Sequence, residues 1–153
     1  MLPPQFKIFK LLRVALLRAF GAKVAWNCYI HPSAKVEYPW HVTMGDYSSL
    51  GAKCWIYALD KFTVGEKSTI GKEVNIITGS HDISSPNFHL VTKPVTIGNG
   101  VWVTTRATIL PGVKLNDYCV IANNSVVTKE VDSYTVVGGN PAKFIKKRIM
   151  KDK

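Results

Sequence analysis

This sequence predicts an all-β fold: a parallel β-helix of about five triangular coils, with a helix before it and a short helix after it. Two observations carry that expectation. First, from Ile97 to Asp132 the chain divides into blocks of six, IGNGVW, VTTRAT, ILPGVK, LNDYCV, IANNSV and VTKEVD. An aliphatic residue opens each block (Ile97, Val103, Ile109, Leu115, Ile121, Val127), and the fifth place is small or β-branched (Val101, Ala107, Val113, Cys119, Ser125, Val131). Neither a helix nor an ordinary strand repeats at that interval. A fixed short period marks one small unit stacked many times. Here the unit is one flat side of a triangular coil, whose first and fifth residues point to the axis.

Second, the same frame runs backwards through the chain. Blocks open at Val24, Ile30 and Val36, then at Met44, Leu50 and Ile56, then at Val64, Ile70 and Ile76, with two extra residues at each of the first two coil boundaries. Segments 97–114 and 115–132 supply two further coils. Trp40 and Asp60 fall at fifth places that should be small, and Thr104 and Asn116 replace the second-place glycine of IGNG and VGEK. These departures weaken single blocks and leave the period intact.

The 153 residues suffice for one domain, divided as 1–23, 24–132 and 133–153. Hydrophobic residues at 46% and charged residues at 20% exclude a disordered chain. The net charge of +10 belongs to the two ends. Residues 1–23 hold five Lys or Arg and no acid; residues 143–153 hold six, against Asp152 alone. The body between them is balanced, which argues against a nucleic-acid groove along the coil. Cys28, Cys54 and Cys119 are odd in number, lack CxxC spacing and all fall at fifth places. They read as reduced core thiols of a cytoplasmic protein.

In chain order, residues 5–20 (QFKIFKLLRVALLRAF) predict a helix that stops at Gly21. Lys7, Lys10, Arg13 and Arg18 share one sector of it, and Phe6, Phe9, Leu12, Leu16 and Phe20 cover much of the rest. Two roles fit: a cap on the open end of the coil, or a basic amphipathic helix lying on an anionic membrane surface, giving peripheral contact on the inner face. Four charges argue against a transmembrane span, and basic residues interrupt any signal-peptide core. The repeat body, 24–132, is interrupted once, by the loop 82–96 (DISSPNFHLVTKPVT), stiffened by Pro86 and Pro94. A long loop on a rigid scaffold is usually functional. After Asp132, Gly138-Gly139-Asn140-Pro141 turns the chain out of the coil, and AKFIKKRIM predicts a short basic helix.

Of the four histidines, His31 and His41 lie in the first coil and read as structural or solvent-facing. His81, in TGSHD, stands at the last outward place of the third coil, where the loop leaves. An imidazole there suits general-base work near neutral pH. His89 lies within the loop.

The order of the motifs TGSHDISSPNF, KPVTIGNGVWV, ATILPGVKL, IANNSVVTKEV and YTVVGGNPAKFIKKR resembles the galactoside, maltose and nodulation-type O-acetyltransferases. With LLRAFGAKV, IHPSAKVEYPW and WIYALD added, it is most similar to the colanic-acid acetyltransferase group of the hexapeptide-repeat acyltransferases. The resemblance spans nearly the whole chain. It implies a left-handed coil, against the usual right-handed crossover, and a homotrimer with acetyl-CoA lying between neighbouring subunits. It implies that His81 is the base that deprotonates a saccharide hydroxyl, without a cysteine nucleophile or a metal. For the coenzyme it implies Thr105, Asn123 (where the family has a smaller residue), Thr128, Lys129, Lys143 and Lys146. Trp102, Asp82, Asn87 and Phe88 would line the acceptor side. The implied function is O-acetylation in exopolysaccharide or surface-polysaccharide synthesis. Two other readings compete: a non-catalytic scaffold acting through the basic ends, and a zinc site of the carbonic-anhydrase type using His81, His89 and either His31 or His41.

Overall fold

The computed structural model describes residues 4–151, with the side chains of 11–151. The coil has three faces, each a stack of strands two to five residues long. The first face stacks Lys23–Val24, Val42–Met44, Phe62–Val64, Val95–Ile97 and Lys114–Leu115. The second stacks Tyr29–Ile30, Ser49–Leu50, Thr69–Ile70, Trp102–Val103, Val120–Ile121 and Thr135–Gly139. The third stacks Lys35–Glu37, Trp55–Tyr57, Asn75–Ile77, Thr108–Ile109 and Val126–Val127.

Pairing between turns is parallel and brings first-place residues into register: Val24 with Met44, Met44 with Val64, Val64 with Ile97, and Ile97 with Leu115. All of these are buried, as are the fifth-place Cys28, Ala34, Cys54, Val74, Val101, Ala107, Val113 and Cys119. Small polar groups in the core make their hydrogen bonds to the next turn. Cys28 Sγ, Ser48 Oγ and Ser68 Oγ donate to the carbonyls of Gly45, Gly65 and Gly98 respectively. Each removes the cost of an unpaired buried polar atom.

Three features differ from the expectation. Trp40 and Asp60 do not occupy inward places. The two extra residues at each early boundary lengthen that corner, and Val42 and Phe62, each two residues before the next first place, fill the core instead. Trp40 sits in the short 3₁₀ turn Pro39–His41 and is 58% exposed. The coil also makes about six turns, not five. The corner at 128–130 is two residues shorter than the one at 110–114, so Val131 pairs with Leu115 and Val137 with Ile121. Val131 is therefore a first-place residue, and a strict six-residue frame loses the last turn.

The third difference is the tail. No helix forms at 142–150. Ala142–Lys147 is a strand, antiparallel to Thr135–Gly139, with Gly139 paired to Ala142 across the turn. The last strand of the second face has an open edge, and the turn at Gly139 (φ +102°) folds the tail back onto its unpaired backbone groups. Arg148 clamps the end, donating to the carbonyls of Gly100 and Tyr118 at 2.9 Å each.

At the other end, α1 (Pro4–Ala19) closes the first turn, burying Val14 and Leu17 in the core. Its stop is as expected: Gly21 adopts φ +91°, and Ala22 N–H donates to Leu17 C=O at 3.0 Å. The cap half of the two roles for this helix is therefore real. Phe6, Phe9, Lys7 and Lys10 have side chains outside the described set. Among the described residues no helix is long and apolar enough to cross a membrane.

Phe62 is the bulkiest of the fully buried side chains. Phe62→Ala is expected to lower unfolding free energy by about 3–5 kcal/mol in urea titrations; a loss under ~1 kcal/mol would mean the core is not packed around it.

Candidate active site

The third turn breaks where Asn75–Ile77 ends. Thr78 turns inward and is fully buried, its Oγ1 donating to Tyr57 C=O at 3.0 Å and accepting from Asp60 N–H at 2.9 Å. The next three residues, Gly79–His81, peel off the prism and pair antiparallel with Leu90–Thr92. The loop is thus a hairpin, and it ends at Pro94, because Val95 and Thr96 are already back in the first face.

The hairpin tip holds the histidine. Ser85 N–H donates to Asp82 C=O at 3.2 Å, and Phe88 N–H to Ser85 C=O at 3.0 Å. Phe88 then adopts φ +47°, a left-handed conformation unusual for an aromatic residue. That bend brings the Phe88 carbonyl 2.6 Å from His81 Nδ1. A carbonyl only accepts, so Nδ1 carries the proton and the lone pair of the neutral ring lies on Nε2. The ring is exposed. His81 is thereby oriented as a proton acceptor by a backbone group.

Asp82 beside it is committed to the turn. Its Oδ1 accepts from Ser84 Oγ at 2.6 Å and Ser84 N–H at 2.9 Å. These two bonds, the hydroxyl's first, hold its carboxyl below the usual aspartate range. Asn87 and Phe88 are both exposed on the same hairpin.

The other expected site residues fall on two more places. Trp102 is 51% exposed on the second face. With Thr105 and Asn123 it lines a groove of about 410 Å³ at the edge between second and third faces, together with Gly71, Thr104 and Ala122. Thr128 and Lys129 follow the third face, at the edge from which His81 departs two turns earlier. Lys129, with Ala142, Phe144 and Lys147, lines a second groove of about 260 Å³. Lys143 and Lys146 stand exposed on the tail strand, paired with Gly138 and Val136. One protomer therefore gathers Trp102, Thr105 and Asn123 on one edge, and His81, Thr128 and Lys129 along another.

Sequence reading missed Gly71, Thr104 and Ala122 as groove residues. The signal for Thr104 was present, since it breaks the second-place glycine rule. The Phe88 carbonyl is a backbone group held by a turn, and no residue type announces it.

Within one protomer the residues of the zinc alternative do not converge. Among the described residues no three His, Cys, Asp or Glu side chains converge as metal ligands. His41 Nδ1 is 2.8 Å from Ala58 C=O, His31 Nδ1 accepts from Ser33 N–H at 3.1 Å, and His89 Nδ1 lies 2.8 Å from Ser85 Oγ. All three cysteines are buried, and burial pushes the Cys54 and Cys119 thiols up to about 12, above a reactive range.

A triangular prism of six-residue blocks is the build of a bacterial hexapeptide transferase. The family model described as bacterial transferase hexapeptide (six repeats) matches residues 94–129. The chain is 39% identical to the protein named as the colanic acid biosynthesis acetyltransferase WcaF of Escherichia coli (strain K12), over 90% of this chain and 75% of that one. It is 28% identical to the galactoside O-acetyltransferase of the same strain, over 92% and 71%. Two solved structures superpose closely. One is a hexapeptide-repeat acetyltransferase from Vibrio cholerae complexed with acetyl coenzyme A (TM-score 0.83, 25% identity, 95% of this chain and 85% of that one). The other is a maltose O-acetyltransferase from Clostridium difficile 630 (TM-score 0.82, 25% identity, 98% and 80%). The chain belongs to the hexapeptide-repeat acetyltransferase family, and its fold is the left-handed parallel β-helix of that family.

The tautomer of His81 is directly measurable. In long-range ¹H–¹⁵N spectra of the neutral ring, Nδ1 is expected to show the protonated, pyrrole-type shift and Nε2 the pyridine-type shift; the reverse assignment would detach the ring from Phe88.

Proposed function

We propose that this protein transfers an acetyl group from acetyl-CoA to a saccharide hydroxyl, with His81 as general base. The observation that carries the proposal is the bond from His81 Nδ1–H to the Phe88 carbonyl, which leaves Nε2 exposed and basic. Nε2 takes the hydroxyl proton as the acceptor oxygen attacks the thioester carbonyl carbon. A C–O bond forms, the C–S bond breaks, and the imidazolium returns its proton to the departing thiolate. Direct transfer needs no covalent enzyme intermediate, which agrees with the burial of all three cysteines. Negative charge developing on the carbonyl oxygen calls for a fixed donor such as a backbone N–H.

The donor's long pantetheine arm fits the groove beside Trp102, Thr105 and Asn123, and its phosphates fit the point charges of Lys129, Lys143 and Lys146, with Thr128 alongside. Asp82, Asn87, Phe88 and Trp102 would meet the acceptor. These groups occupy two edges of one prism, so a complete site needs the His81 edge of one protomer set against the Trp102 edge of another. A cyclic trimer about an axis parallel to the coil supplies that contact three times over. The sugar specificity is proposed from the relatives named for colanic acid, galactoside and maltose chemistry, and polysaccharide synthesis is the pathway class that follows. Acetyl-CoA is a cytoplasmic metabolite, which puts the reaction in the cytoplasm.

His81→Ala is expected to cut the rate of CoA release with a saccharide acceptor by about 10²–10⁴-fold, while melting temperature and oligomer mass stay unchanged. Retained activity in a folded variant would remove His81 from the role.

A further inference from the structure

Over the described side chains of α1, one side caps the coil and the other does not. Val14 and Leu17 enter the core, but Leu12, Leu16 and Phe20, spaced four apart, form a stripe on the other side. They are 58%, 50% and 60% exposed, and Leu11 widens the stripe. Leu16 and Phe20 continue it over Ala34, Val36 and Pro39 of the first turn as a shallow groove of about 380 Å³. Trp26, also exposed, lies beside it with the Arg18 guanidinium 4.9 Å above its ring.

Cations border the stripe. Arg18 lies exposed on one flank, reaching Val24 C=O at 2.7 Å, while Arg13 on the other is half-buried and turned into the first turn, donating to Ala34 C=O at 2.6 Å. Lys23 follows, and the whole segment 1–23 carries five basic residues and no acid. An apolar face bordered by fixed positive charge matches one environment in particular: acyl chains below a plane of anionic headgroups. A second copy of the same face matches it poorly, because a two-fold contact would set arginine against arginine with no carboxylate between them.

We propose that α1 docks this protein on an anionic bilayer surface. The helix lies in the headgroup plane with Leu12, Leu16 and Phe20 inserted, and the exposed Arg18 and Lys23 lie level with the lipid phosphates. Because Val14 and Leu17 lock the helix to the coil, docking holds the first turn against the bilayer. In a cyclic trimer all three caps would share one end, so three weak contacts would act together. The inference itself does not depend on the acetyl-transfer reading.

The test is co-sedimentation of the full chain with vesicles of phosphatidylcholine alone or with phosphatidylglycerol added. Binding is expected only to the anionic vesicles and is expected to weaken as salt is raised. The double variant Leu12→Glu/Leu16→Glu replaces two exposed side chains, so its melting temperature should match the wild type, and its partitioning should fall by roughly a hundredfold. Equal binding to neutral vesicles, or binding that survives in the folded double variant, would overturn the proposal. So would absence of binding together with a lower oligomer mass in the variant, which would give the face to a second copy of the chain.

Discussion

Every turn of this coil is held in place by the turn before it. First-place side chains stack in three columns along the axis: Val24 through Val131 on the first face, Ile30 through Val137 on the second, Val36 through Val127 on the third. No single turn has enough apolar surface to fold alone. Removing that surface from water, at ~25 cal/mol per Å², rewards a turn only when its neighbours are present. The two ends of the stack need covers for the same reason. Val14 and Leu17 of α1 cover one end, and the antiparallel pair 135–139 with 142–147 finishes the other.

A scaffold so regular has few places where chemistry can be built. Outward side chains along the faces are spaced evenly and offer no concavity. The chain leaves the prism at Thr78, whose buried hydroxyl bonds anchor the point where 79–81 departs. From there a short hairpin positions an imidazole by a backbone carbonyl, while the rigid edges beside it offer grooves lined by Trp102, Thr105 and Asn123 or by Lys129 and the tail strand. The separation of these groups onto different edges makes assembly part of the proposed activity, not merely a source of stability.

Much of this was legible in the sequence, and the failures share a cause. The period revealed the fold because the axis tolerates only certain side chains at fixed intervals, a constraint that acts on every block from Val24 to Val127. It misled wherever a corner changed length. Two residues added before Met44 and Val64 made Trp40 and Asp60 look like core positions, and two removed at 128–130 hid the last turn. AKFIKKRIM predicts a helix because its lysines and apolar residues alternate loosely; an open sheet edge, a tertiary feature, decides otherwise. His81 stood out through its place at the loop junction. Its tautomer did not, since Phe88 contributes a main-chain oxygen through a left-handed bend. Nor could the spacing show that His81 and Trp102 lie on different edges.

The shared-site arrangement can be tested by mixing two inactive proteins. His81→Ala damages one edge and Asn123→Arg blocks the groove on the other; each alone should be inactive. Co-assembled at equal ratio, a site pairing an intact His81 edge with an intact Asn123 edge should recur at about a quarter of interfaces, restoring about that fraction of wild-type CoA release. Hybrids that stay as inactive as either parent, while shown by mass to contain both chains, would contradict the account.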